Sequence, residues 1–160
     1  MLIPLYLYNK GLLNSPNFYM SAYFEMHRDT YYDQLLGISQ NKDWTDWCEF
    51  FLKALAEQAQ INTEKATRII DLYQLKKDWA IENLSTQYAI KALDYIFTKP
   101  IFAGSDFVNH SGIPTATAQR IIRTMREKEL LKVFKEAAGR SPAILGFPEL
   151  LNIAEGREIF

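Results

Sequence analysis

From Pro114 to Arg140 the chain carries seven basic residues, Arg120, Arg123, Arg126, Lys128, Lys132, Lys135 and Arg140, against three acidic ones, within a protein of formal net charge −1. The chemistry open to such a stripe is contact with phosphate, since a cationic side chain that meets a nucleic-acid backbone releases condensed counterions. A second kind of residue lies in the same stretch. An amide such as Gln119 pairs bidentately with adenine, and Arg120 or Arg123 with guanine or with phosphate, provided that a helix presents them. If Ala118, Ile121, Ile122 and Met125 point inward, Thr115, Gln119, Arg120 and Arg123 fall on or near the outward side, with Thr117 close to the first turn. The same stripe also fits an ordinary solvated helix face.

Other spacings suggest chemistry and fail on inspection. His27-Arg28-Asp29 spells the catalytic-loop tripeptide of protein kinases, but Thr30 stands in place of leucine, Gln34 in place of asparagine, and no glycine-rich phosphate loop occurs. Glu25, Asp29 and Asp33 recur at four residues and share a helix face, yet no histidine completes a metal set, so a solvated face is expected. His110 reads as a surface residue of a turn. Cys48, the single cysteine, lies among Trp47, Phe50 and Phe51 and is expected to be a small core residue. No nucleophile and base can be paired, so no complete active site is expected and no metal.

The elements that must position these residues are mostly helical. The 160 residues are 48% hydrophobic and 14% aromatic, which suffices for a packed core, and one cysteine suits a reducing compartment, so the cytoplasm is expected. The apolar opening MLIPLYLYNKGLL has the wrong charge order for a secretory signal and is too short for a bilayer span, so no membrane partner is expected. It predicts a helix covered on nearly every side. Ser15-Pro16 predicts the start of a helix reaching Leu36, with Gly37 as its stop. Asp43 with Asp46 predicts a cap for a helix through Trp44, Trp47, Phe51 and Leu55, and helical spacing over 44 to 82 means one long helix or two broken at Asn62-Thr63.

Between Glu82 and Thr86 the pattern changes, placing a boundary between residues 1 to 84 and 85 to 160. Beyond it come a helix ended by Pro100, a short helix over Ser105 to His110, a turn at Ser111-Gly112, and a third helix opened by Pro114. Two strand candidates follow, Leu130 to Phe134 and Ala143 to Phe147, joined by a turn that carries Arg140 at its tip. This is the order of a winged helix-turn-helix, in which the third helix meets the DNA major groove and the tip touches phosphate or a minor groove. Such folds also serve as protein-docking modules. Glu129 stands where a helix of this type often ends on glycine, and a left-handed conformation there would be strained.

Three stretches, MLIPLYLYNKGLL, SAYFEMHRDTYYDQLL and DWTDWCEFFLKALAEQA, resemble in order the segment that follows the catalytic loop of Fic-family proteins. Lys135 to Pro142, with the run from Phe147 to Gly156, looks like the hairpin tip and closing helix of the winged helix carried by many bacterial members. The resemblance implies a mainly α fold: the C-terminal helices of a Fic-type bundle, then a winged helix-turn-helix with a small hairpin. The family typically transfers AMP from ATP, with Mg, to a hydroxyl of a target protein through a motif H-x-F-x-D/E-G-N-G-R-x-x-R, which would lie just before Met1 and has no counterpart here. The expectation is therefore a chain that is not catalytically competent alone and uses no cofactor, acting as a DNA-binding or regulatory module. The alternative is the C-terminal piece of an adenylyltransferase.

The resemblance also implies an adenine pocket on the segment Tyr31 to Leu35. Tyr32, Leu35 and Ser39 are spaced to offer a ring, an aliphatic wall and a polar tip on one helix face, although Tyr32 and Leu35 equally fit a core stripe. Expected partners are duplex DNA, a target or regulatory protein, and a second copy held through residues 1 to 24, whose Leu2, Ile3, Leu5, Leu7 and Leu12 lack a cover.

Overall fold

A computed structural model of the chain describes residues 2–14, 18, 20–139 and 141–159. Among them are eight helices and one three-stranded sheet, a mainly α protein. The chain divides into two compact units, Met1–Glu64 and Lys65–Phe160. That division falls inside the long helix Trp44–Leu84.

The first unit is built from α1 (Leu2–Asn9), α2 (Ser21–Met26), α3 (Arg28–Asn41) and the opening turns of α4 (Trp44–Leu84). Its core is small: Phe18, Met20, Tyr23 and Ala54, with Ile3, Leu7, Leu13, Phe24, Phe50 and Leu55 packed around them. Tyr23 anchors it, donating its hydroxyl to Glu57 Oε2 at 2.9 Å and placing its ring 4.2 Å from the His27 ring.

Several expectations change here. The helix foreseen from Ser15-Pro16 to Leu36 is split at His27, whose φ of −111° and ψ of 38° leave the helical region. Its ring nitrogen Nδ1 lies 3.0 Å from the Tyr23 carbonyl, so the stack and this contact together hold the break. Gly37 sits inside α3. The stop is Lys42, left-handed at φ 58°, whose N–H donates back to Ile38 O. Ser15 and Pro16, the foreseen start, lie outside the described residues. Asp43 does cap α4, its Oδ1 accepting the Asp46 N–H at 3.3 Å, and α4 runs unbroken through Asn62-Thr63. Cys48 is exposed, because Trp47, Phe50 and Phe51 turn toward the aromatic cluster while position 48 falls on the other side of the helix. Nor is α1 covered on nearly every side: Leu2, Leu5, Tyr6, Tyr8 and, just beyond it, Leu12 are exposed, and only Pro4 of the helix is fully buried.

The second unit adds to the remainder of α4 the elements α5 (Ala89–Thr98), β1 (Ile101–Ala103), α6 (Gly104–His110), α7 (Thr115–Glu127), β2 (Lys132–Lys135), β3 (Ile144–Gly146) and α8 (Pro148–Glu155). Its core is continuous. Leu72, Ala80 and Leu84 of α4 meet Leu93 and Ile96 of α5, Phe107 of α6, Ile121 and Met125 of α7, and Leu145 and Phe147. Sealing each large side chain of this kind contributes about 1.5–3 kcal/mol. Polar ties reinforce the contact of α4 with its neighbours: Tyr73 donates to Asp94 Oδ1 at 2.6 Å, Lys76 pairs with Glu149 at 2.6 Å, and Lys65 donates to Ala154 O at 2.7 Å.

The sheet is antiparallel in the order β1-β3-β2. β1 was not foreseen, and it pairs Phe102 with Leu145, while its neighbour Gly104 donates to Ala143 O at 3.2 Å. In β2, Lys132 pairs with Gly146 and Val133 with Leu145, but Lys135 pairs with Ile144, leaving Phe134 as an extra residue in a bulge. The Phe134 ring lies over Gly146, where a Cβ would stand 2.0 Å from its Cε2. Glu129 does take the left-handed conformation, φ 60°, in which a non-glycine residue is strained.

Two consequences are open to measurement. Gly146→Ala forces the ring of Phe134 aside and is expected to lower stability by about 1–3 kcal/mol in a denaturant titration, with less than the summed loss when paired with Phe134→Ala. Donation to Asp94, then burial and the nearby carboxylate charge, hold the Tyr73 phenol above the ordinary 10.0. A raised folded value means that this contribution is whole below about pH 10 and is lost as pH climbs through the folded value. Tyr73→Phe is therefore expected to flatten the alkaline fall of the denaturation midpoint, and an unchanged slope would remove this assignment.

Candidate nucleic-acid interface

Helix α7 begins after Pro114, whose φ of −54° and ψ of 135° set the chain direction and whose carbonyl accepts the Ala118 N–H at 2.9 Å. The turn before it is tight. Gly112, at φ 64°, occupies a conformation that suits glycine, and its carbonyl accepts from Lys91 Nζ of α5 at 2.9 Å. At the other end the Leu130 N–H donates to Met125 O at 2.9 Å, closing the helix around the left-handed Glu129.

Ala118, Ile121 and Met125 are buried and Ile122 half-buried, so one face of α7 is committed to the core. The opposite side carries the residues singled out from the sequence. Thr115, Gln119, Arg120 and Arg123 are exposed, and Thr117 is half-buried. Arg140 lies outside the described residues. Ion pairs among the described residues are Arg28–Glu25, Lys53–Glu57 and Lys76–Glu149, so no arginine of α7 is engaged in one. The Arg120 carbonyl accepts from Thr124 Oγ1 at 3.1 Å, a bond within the helix that leaves its guanidinium unused.

Two concavities flank this helix. A groove of about 410 Å³ between α6 and α7 is lined by Gly104, Ser105, Val108, Asn109, Gln119 and Ile122. A cleft of about 450 Å³ between α7 and β2 is lined by Arg123, Arg126, Glu127, Leu131 and Val133. Sequence reasoning passed over Asn109, Arg126 and Val133. Arg126 belonged to the counted basic stripe, but its position beside β2 depends on pairing far along the chain.

The adenine-pocket residues lie on α3 in the other unit. Tyr32 is exposed, with the Arg28 guanidinium 5.7 Å from its ring centre; Leu35 is half-buried; Ser39 is exposed and donates its hydroxyl to Leu35 O at 3.1 Å. Tyr32 therefore offers a ring to solvent, and the Ser39 hydroxyl is turned back on its own helix. Glu25, Asp29 and Asp33 are exposed as expected, but the break at His27 puts Glu25 on α2 and the two aspartates on α3, so the three share no single helix face, and His110 is exposed. Among the described residues no group of three or more potential metal ligands comes together, and no helix is long and apolar enough to cross a membrane. No family model matches the chain.

Proposed function

We propose that this chain is a duplex-DNA-binding regulatory module, its residues 85 to 160 a winged helix-turn-helix that presents α7 to the major groove. The observation that carries the reading is the exposed, unpaired set Gln119, Arg120 and Arg123 on a helix whose other face is locked into the core. The order of elements supports it: helix, short strand, helix, tight turn, helix and hairpin, with the first strand joining the hairpin. Thr115 and Thr117 sit at the N-terminal turn of α7, where side chains of a recognition helix reach base edges. Arg140, which follows β2 and precedes β3 in the sequence, is proposed as a further backbone contact. The first unit we read as related to the C-terminal helices of a Fic fold, in a cytoplasmic protein.

Affinity for a labelled duplex is expected to fall steeply with salt. Four phosphate contacts give a loss of about 150-fold between about 50 and 200 mM. Arg120→Ala and Arg123→Ala each weaken binding at fixed salt, while Gln119→Ala changes the preference among sequences. No affinity for any duplex at low salt removes the reading.

The exposed apolar side chains of α1 favour a second role for the first unit. Leu2, Leu5, Tyr6 and Tyr8 on one short helix, followed by Leu12, make a face that a second copy of the chain would cover with the same residues by two-fold pairing. Light scattering is expected to show a mass that rises with concentration and returns to the monomer in Leu2→Glu/Leu5→Glu. A monomer at every concentration counts against it.

A further inference from the structure

Gln119, Arg123 and Arg126 follow one another at four and three residues, so they form one straight stripe along α7, spanning roughly 10 Å of its axis. Both concavities open onto that stripe. Gln119 lines the groove against α6, and the two arginines line the cleft against β2, whose apolar wall is Leu131 and Val133. Arg120, although exposed, lines neither. The cleft holds two cationic groups and one carboxylate, that of Glu127, and neither guanidinium forms an ion pair with it. Lys132, the first residue of β2, is exposed but lines a different concavity, with Lys128 and Glu149.

The geometry points to a phosphate seat in the α7–β2 cleft, in which Arg123 and Arg126 together hold one backbone phosphate while Gln119, a turn and more away, meets a base. This deepens the DNA-binding reading and rests on it. A guanidinium fork matches a phosphate with paired hydrogen bonds, and an apolar wall behind it keeps competing water from part of its surface. The division of labour follows from position. The C-terminal half of the stripe fixes register for any sequence, and the N-terminal half discriminates.

The test is a set of salt titrations on a preferred duplex and a scrambled one. Arg126→Gln is expected to weaken both by the same factor and to make log affinity against log salt shallower by less than about 0.9, since Arg123 still meets the shared phosphate. Because one phosphate is shared, Arg123→Gln/Arg126→Gln is expected to lose about 0.9 of slope and no more, so that the loss between about 50 and 200 mM shrinks about 3.5-fold, and Glu127→Gln to tighten both complexes. Wild-type slope and affinity in Arg126→Gln while the duplex still binds would overturn the seat, and so would a loss of about 1.8 in the double variant, which means two phosphates. If the wild-type chain binds no duplex, the DNA reading fails, and the cleft is then judged alone by titrating inorganic phosphate against the arginine side-chain Nε resonances. Saturable shifts of Arg123 and Arg126 that Arg126→Gln abolishes uphold an anion seat, and their absence overturns it.

Discussion

Burial of Ala118, Ile121 and Met125 is the constraint on which the second unit turns. With those three side chains enclosed by α5, α6 and the residues around β3, α7 has no rotational freedom left, and every outward residue is assigned by the helical repeat alone. Exchanging the core face for the charged one would bury three guanidiniums without partners, a cost of several kcal/mol for each ion. The orientation of Gln119 and of the arginines is thus a result of apolar packing, settled before any partner arrives.

The same packing explains why short elements suffice. β1 and β3 have three residues each and β2 has four, lengths that are marginal for an isolated hairpin in water. They persist because Phe102, Leu145 and Phe147 reach into a core already assembled by helices. The ring contacts of Tyr95 with Phe102 and Phe107, and of Phe97 with Phe147, hold the sheet to α5 by edge-on packing of the kind that aromatic quadrupoles favour.

Much of the second unit was legible in the sequence because its signals are local: Pro100 and Pro114 bound helices, Gly112 marks a turn, and the spacing of Ala118 through Met125 declares a buried face. Glu129 was legible for the same reason, since a left-handed residue just after a helix has a positional signature. β1 was not. Ile101 to Ala103 is too short to show alternation, and it is a strand only because β3 arrives from more than forty residues later. The first unit was read less well. Tyr19 to Phe24 and Tyr31-Tyr32 look like one aromatic helix, but the stack of His27 on Tyr23 divides it, and Cys48 was assigned to the core from its neighbours in the chain, whereas a helix turns each neighbour about 100° away. At the candidate interface, the outward face was visible and the cleft was not, since Arg126 and Val133 meet only through the fold.

The extra residue in β2 sets the parity of the hairpin. Under strict alternation Lys132 and Phe134 would share one side and Val133 and Lys135 the other, which would aim a lysine ammonium toward the side on which Leu145 is buried. By absorbing Phe134 the strand resets its count, and Lys132 and Lys135 leave on the same side, opposite Gly146 and Ile144, while Val133 alone faces inward with Leu145. The same residues paired in strict register, without the bulge, would turn a cation into the interior, so the irregularity is what lets so basic a ribbon close over an apolar core.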